Sequence, residues 1–209
     1  IYDAINQPFG WTEGVTKLYM TLSQDFLYKD PMTNCIFLDN HDMTRIHSSL
    51  GESVAKTKMA YAWLMTCRGI PQMYYGSEIL MKGISNPDGW VRLDFPGGWE
   101  GDQKNAFTET GLTETEKDFL HYVQKLGTYR KSSSALKTGN MMQYLPEDGL
   151  YVYFRYSKDQ TIMCIMNTDT KERKINFEKF KECTQHFNGG IDIISGKKIT
   201  KEFQIPSMT

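Results

Sequence analysis

Apolar and polar positions along this chain follow two different rhythms, and the change falls near residue 131. Before it, short apolar runs alternate with longer helical patterns. Ile36-Phe37-Leu38 is a compact apolar run that ends in Asp39-Asn40-His41-Asp42, the pattern of a buried strand feeding a polar loop. Residues 53–67 (SVAKTKMAYAWLMTC) suit a mostly buried helix through Val54, Met59, Ala62, Trp63 and Met65, stopped by Gly69. Pro71 opens the next segment, and Gln72-Met73-Tyr74-Tyr75 reads as a second strand closed by Gly76. Strand, loop, helix and strand at this spacing form a βαβ unit, so the two strands are expected to be parallel neighbours.

Residues 81–112 have no period and are rich in Gly, Pro, Asp, Asn and Trp. A long irregular stretch inside a compact unit is either a functional loop or a disordered one. Trp90, Phe95, Trp99 and Phe107 favour an ordered loop. Thr113-Glu114-Thr115-Glu116 then opens a helix with acidic residues in its first turn, continuing through Phe119, Leu120, Val123 and Leu126 to about Arg130.

Beyond that point the helical period disappears. Met142–Leu145, Leu150–Tyr156, Ile162–Met166, Ile175–Phe177, Ile191–Ile194 and Phe203–Ile205 are short runs with turn residues between them, and Leu150–Tyr156 is the clearest hairpin strand. The expected organisation is an α/β unit over 1–136 followed by a small antiparallel, all-β domain over 137–209.

Composition narrows the function classes. The chain has 209 residues, 40% of them apolar, enough to bury a core. A net charge of −1 with no basic stripe gives no footprint for nucleic acid. The lysines between Lys171 and Lys181 are interleaved with Glu172 and Glu178 and read as solvated surface. No apolar run approaches the roughly 20 residues of a membrane span. The four cysteines, Cys35, Cys67, Cys164 and Cys183, form no CxxC pair, which argues against a zinc site and a disulfide scaffold. Cys35 and Cys67 lie in apolar runs and are expected to be buried free thiols. The first residue is Ile1, so the absence of a leader says nothing about localisation; periplasmic, extracellular and cytoplasmic placements all stay open. Aromatic residues reach 13%, a surplus that suits both core packing and stacking on flat ligands such as sugar rings.

The chemistry is expected at Asn40-His41-Asp42. In α/β barrels and open sheets, active-site residues gather where parallel strands end. A carboxylate beside a histidine, with Arg45 three residues on, can accept hydrogen bonds from ligand hydroxyls or face a developing positive charge. The spacing is equally compatible with Asp42 serving as a helix N-cap and His41 as a locally satisfied side chain.

Phe37-Leu38-Asp39-Asn40-His41-Asp42 resembles the last of the recurring sequence blocks of the α-amylase superfamily, glycoside hydrolase family 13, which ends the seventh barrel strand. Arg68-Gly69-Ile70-Pro71-Gln72-Met73-Tyr74-Tyr75-Gly76-Ser77-Glu78 is similar to the family's G-I-P-x-x-Y-Y-G-x-E segment, the eighth strand. Tyr2-Asp3-Ala4-Ile5 looks like the stretch after strand six. Arg92-Leu93-Asp94-Phe95-Pro96-Gly97-Gly98-Trp99 resembles the neopullulanase and cyclomaltodextrinase branch.

The resemblance implies that residues 1–136 are the C-terminal part of a (β/α)8 TIM barrel, about strands six to eight, and that the trailing region is the family's β-sandwich. It implies that Asp42 is the transition-state-stabilising aspartate and His41 the histidine that hydrogen-bonds the same sugar, with Asn40 beside them. Arg45 is then an orienter of Asp42. Tyr75 and Glu78 either line the cleft or serve barrel packing and loop capping. Trp90 and Trp99 either stack on glucose units or form a mini-core of their own loop.

The implied substrate is an α-glucan oligosaccharide, cleaved by hydrolysis or passed to another acceptor; a non-catalytic sugar-binding or structural role is the third alternative. Calcium is common in the family, but no clustered Asp/Asn ligand set stands out, and no cofactor is expected. The nucleophile and general acid belong to strands four and five of the family, so this chain is expected to lack both. The barrel edges it leaves open, with Phe37, Leu38, Met73 and Tyr74, are expected to be covered by a missing N-terminal barrel segment or another copy of the chain. Asp88-Gly89-Trp90-Val91-Arg92-Leu93-Asp94 resembles the family's nucleophile block with one extra residue, but it follows strand eight in an irregular stretch, and Asp94 is set aside as nucleophile on that ground.

Overall fold

A computed structural model of the chain describes residues 1–97 and 99–209; Gly98, part of the branch resemblance above, lies outside the described residues. The chain opens with α1 (Tyr2–Asn6) and α2 (Val15–Leu22). Strand β1 (Cys35–Phe37) follows, then α3 (Ile46–Ser49), α4 (Val54–Thr66) and β2 (Ile70–Gln72). β1 and β2 pair in parallel, Cys35 with Ile70 and Phe37 with Gln72, as the βαβ pattern predicts.

Helix α4 is the centre of this part. Ser53 caps it through Lys56 N, and Met59, Ala60, Tyr61, Trp63, Leu64 and Met65 are all buried. A helix apolar on every side packs on every side. Its last carbonyls have no partners within the helix. Two arginines satisfy them: Arg130 donates to Met65 O, Cys67 O and Gly69 O at 2.7–3.2 Å, and Arg155 donates to Thr66 O at 3.0 Å. Positive charge at a helix C-terminus also complements the macrodipole.

Strand β2 is shorter than expected and earlier in sequence. It ends at Gln72, before the Met73-Tyr74-Tyr75 segment that alternation placed in the strand. Those residues leave the sheet because both tyrosine hydroxyls are tied to the following loop, and Gly76 turns the backbone at φ 78°, a left-handed conformation that favours glycine. Cys35 is also corrected: it is exposed, while Cys67 is buried. The pattern marked Cys35 as apolar-run interior, but its flank of β1 carries no neighbouring strand. Phe37, Ile70 and Met73 are exposed on the same unit, whereas Leu38 is buried within the chain.

The described residues of the segment 81–112 form an irregular loop holding a 3-10 turn at Trp90–Arg92. Its internal contact is Phe95 on Phe107, with ring centroids 5.3 Å apart. Helix α5 (Glu114–Ser132) starts where the sequence opens it, and does so with a capping box, Thr113 Oγ1 accepting from Glu116 N and the Glu116 carboxylate accepting from Thr113 N. The short α6 (Ser134–Lys137) leads into the β region.

There, β3 (Asn140–Gln143), β4 (Leu150–Tyr156) and β5 (Thr161–Asn167) form an antiparallel sheet. β4 is buried on both faces. Tyr151 and Tyr153 point into the core shared with α4 and α5, while Val152 and Phe154 point away, the period-2 alternation of a strand serving two layers. The outer layer contains β6 (Arg173–Asn176), α7 (Lys181–Thr184) and β9 (Glu202–Ile205), with Ile175, Phe180 and Ile205 against Val152 and Phe154. β6 pairs with β9, and β7 (Gly189–Ile191) with β8 (Lys198–Thr200). The strands expected at Met142–Leu145 and Ile191–Ile194 therefore begin two residues earlier, and β8, hidden in the polar Lys197-Lys198-Ile199-Thr200 stretch, was not expected at all. Asp192 explains the second shift: its carboxylate accepts from Ile194 N and folds 192–195 into a turn.

Candidate active site at the end of the parallel strands

The loop after β1 is built by its own side chains. Asn40 Oδ1 accepts from Asp42 N at 2.9 Å, turning the chain so that His41 and Asp42 point outward. Their side chains are 64% and 65% exposed, with His41 Nε2 3.2 Å from Asp42 Oδ2. Asp42 is not a helix cap. That role passes to Asp39, which is buried and accepts from Ile46 N, at the start of α3, and from Ser77 Oγ at 2.8 Å. Burial raises the Asp39 carboxyl above its usual range, opposed by these two donors and by Arg45.

Arg45 does not orient Asp42. It is completely buried, donates from Nη1 to Tyr75 O at 2.7 Å, and lies under the Tyr74 and Tyr75 rings at 4.6 and 4.9 Å from their centroids. Two residues of the strand-end loop separate it from the exposed Asp42, and its backbone N–H is fixed by Gly83 O at 3.0 Å, which turns the side chain inward. Its Nε and Nη2, and Oε2 of Glu78, are buried without a hydrogen-bond partner among the described residues. Burial raises the Glu78 carboxyl, as it does Asp39. Arg45, Asp39 and Ser77 thus form a polar layer beneath the surface, with the half-buried Glu78 at its edge.

The residue that holds Asp42 is Arg92. Its Nη2 donates to Asp42 Oδ1 at 3.1 Å, its Nε donates to His41 O at 2.9 Å, and Asp88 Oδ1 stands 3.4 Å from the same Nη2. Sequence reasoning gave Arg92 and Asp88 no role of their own: both stood in the set-aside nucleophile-like block, and Arg92 also in the branch-resembling stretch. The i, i+4 spacing of Asp88 and Arg92 was the available signal. Asp94 of that block is exposed and belongs to no strand.

Trp90 and Trp99 are exposed and form no mini-core; Phe95 fills that role, against Ile79, Ala106, Leu112 and Leu120. Tyr75 is partly exposed beside Trp90's loop, its hydroxyl on Leu93 O at 2.8 Å. A cleft of about 460 Å3 lies elsewhere, along the unpaired flank of β1, lined by Ile1, Leu18, Cys35, Ile36 and Trp63. None of Asn40, His41, Asp42 or Arg92 lines it. Among the described residues no group of three or more His, Cys, Asp or Glu side chains is arranged to hold a metal ion, and no helix is long and apolar enough to cross a membrane.

A parallel strand pair with a His-Asp couple at its C-terminal end, a long loop after the second strand and a trailing β-sandwich define the closing part of an α/β-barrel enzyme with an appended β domain. Residues 10–131 match the family model for the alpha amylase catalytic domain, and residues 141–209 match that for the cyclo-malto-dextrinase C-terminal domain. The chain belongs to the α-amylase family of glycoside hydrolases. It is 32% identical over 162 residues to Alpha-amylase 3 of Dictyoglomus thermophilum, covering 69% of this chain and 32% of that protein. It is 34% identical over 119 residues to the cyclomaltodextrin glucanotransferase of Bacillus sp. (strain 1011), covering 57% of this chain and 14% of that protein. Among solved structures, an Anoxybacillus α-amylase superposes on the whole chain with a TM-score of 0.76 at 22% identity, over 42% of its own length. The chain thus spans a third or less of the two curated relatives, and under half of the solved one.

Proposed function

We propose that the full-length protein cleaves α-1,4-linked glucans of the starch, maltodextrin or pullulan type with net retention, and that Asp42 is its transition-state stabiliser. The observation that carries this is the exposed His41–Asp42 couple at the end of a parallel strand, held from behind by Arg92. Glycosidic cleavage builds positive charge on the sugar ring, and a fixed carboxylate facing it lowers that barrier. His41 and Asn40 contribute hydrogen bonds to the same sugar. Tyr75, Trp90 and Trp99 offer exposed ring faces for neighbouring glucose units. Arg45, being buried, serves the site by supporting Tyr75, and the half-buried Glu78 sits in the turn that follows.

A retaining glycosidase also needs a nucleophile and an acid about 5 Å apart; the carboxylate nearest to hand, Asp88, is engaged by Arg92. We assign the pair to other barrel strands of the full-length protein, which also cover the exposed Phe37, Ile70 and Met73. We place the division between barrel and β-sandwich at 136/137, within the short α6 that links α5 to β3. Kinship to glucanotransferases supports a second reading, in which the glycosyl group passes to another sugar instead of water. Maltoheptaose incubated with the full-length polypeptide separates the two: net reducing ends accumulate in hydrolysis, whereas transfer redistributes chain lengths with few new ends. NMR of the first-formed anomer tests retention. Turnover of maltoheptaose by this chain alone overturns the assignment of the nucleophile to other strands.

A further inference from the structure

Arg92 is the only described side chain that touches both His41 and Asp42 from outside their own loop, and the structure shows what holds Arg92 itself. Tyr74 Oη donates to Val91 O at 3.1 Å, and Tyr75 Oη donates to Leu93 O at 2.8 Å. The two carbonyls flank Arg92 on either side. The tyrosine rings stand 4.6 Å apart and rest on the buried Arg45 guanidinium, which is itself pinned to Tyr75 O. The hydroxyls therefore project from a rigid base, not from a mobile loop. Asp88, at 3.4 Å, competes with Asp42 for the same guanidinium nitrogen. Without the bracket, an exposed arginine on an irregular loop would share itself among Asp42, Asp88 and water.

We infer that Tyr74 and Tyr75 are positioning residues: by bracketing the backbone on both sides of Arg92 they aim its guanidinium at Asp42 and the His41 carbonyl, and so fix the stabilising carboxylate. The inference rests on Asp42 acting in the sugar-cleaving site. Its consequence is specific. Removing the two hydroxyls while keeping the rings leaves Arg45 its stacking partners and leaves Asp42 intact, yet loosens the aim of the carboxylate. Loss of orientation at a reacting centre costs turnover more than ground-state binding, on the order of 10- to 100-fold for a displacement near 1 Å.

The test is a double-mutant cycle in the full-length polypeptide with maltoheptaose as substrate. The Tyr74→Phe/Tyr75→Phe variant is expected to lower kcat roughly tenfold, with KM nearly unchanged and the thermal midpoint close to wild type. In an Arg92→Ala background the same pair is expected to have almost no further effect, because the bracket then holds nothing. An equal loss in both backgrounds, or a rise in KM with kcat preserved, overturns the inference and makes the tyrosines scaffolding or sugar contacts instead. Should the double variant fold poorly, Tyr75→Phe alone carries the cycle, since its hydroxyl sits on the exposed side. Asp42→Asn is measured alongside: wild-type turnover there removes the site assignment itself, whereas collapse of turnover in D42N with no effect of the tyrosines removes only the bracket.

Discussion

Arg92 reaches back 50 positions along the chain to place its Nη2 3.1 Å from Oδ1 of Asp42, so the loop after the second parallel strand controls a carboxylate presented by the first. The contact is solvent-exposed, and an ion pair in that setting contributes little to folding. Its value lies in orientation.

Asp42→Asn is accordingly expected to separate function from stability. In the full-length polypeptide turnover should fall by at least roughly 100-fold, the scale of losing one stabilising group aimed at developing charge. The unfolding free energy should stay within about 0.5 kcal/mol of wild type, as for other surface substitutions. Urea titration beside initial-rate kinetics checks both. A large stability loss in D42N would mean that the loop depends on this carboxylate structurally.

Arg45 behaves in the opposite way. It is buried, carries the Tyr75 carbonyl and both tyrosine rings, and faces Asp39 and Ser77. Arg45→Ala removes these contacts, opens a cavity and leaves Tyr75 O unpaired, so a loss of roughly 2–4 kcal/mol is expected. Arg45→Lys should recover only part, because an ammonium lacks the planar face that lies against the two rings. Denaturant midpoints read the series. Arg45→Met as stable as wild type would show that the guanidinium's two unpartnered nitrogens cost as much as its contacts return.

His47 gives the fold a pH dependence of predictable sign. It is buried on α3, with Nδ1 2.9 Å from Thr57 Oγ1, and burial lowers its pKa below the ordinary 6.5; Glu52 opposes this and Lys82 adds to it, both more weakly. Between the depressed value and 6.5 the folded chain binds fewer protons than the unfolded one, so stability falls as pH drops through that window. His47→Gln, which keeps a polar partner for Thr57, should remove this slope. Wild type and variant compared at pH 7.5 and 5.0 should therefore converge toward acid. Parallel curves for the two proteins would show that His47 titrates alike in both states.

What could be read from residues alone follows the range of the forces involved. The helices over 54–66 and 114–132 were legible because their signals, an apolar run stopped by Gly69 in the first and an acidic first turn with spaced apolar residues in the second, are local to each element. The His41–Asp42 couple was legible because its sequence block is local. The extent of β2 was not: alternation at Met73-Tyr74-Tyr75 looked like strand, but hydroxyl bonds to Val91 and Leu93 decide it, and those partners lie 17 and 18 residues away. Arg45 shows the same limit. Three residues from Asp42 it looked like an orienter, yet a backbone bond to Gly83, 38 positions on, points it inward. Arg92 offered only its i, i+4 spacing to Asp88 as a local signal; its reach to Asp42 depends on a loop with no period to read.

The junction between barrel part and β-sandwich rests on Arg155. It is wholly buried in β4, and its guanidinium donates to Thr66 O, Leu136 O, Gly139 O and Asn140 O at 3.0–3.3 Å. One side chain thus joins the end of α4, the end of α6 and the start of β3. Four carbonyls served by one cation are four acceptors orphaned by its removal, and a buried orphan costs about 1–3 kcal/mol. These penalties do not add fully, because chain ends relax toward water. Arg155→Met, which keeps the aliphatic volume, is expected to lose at least about 3 kcal/mol and to uncouple the two parts. Arg130→Met, whose side chain serves only carbonyls on the barrel side, should lower stability without uncoupling. Hydrogen exchange distinguishes them: in R155M the amides of β4 and β5 should exchange faster than those of α4, whereas in R130M both should rise together. Uniform exchange in R155M would mean that the shared apolar core of Tyr151, Tyr153 and Leu64, not the arginine, couples the halves.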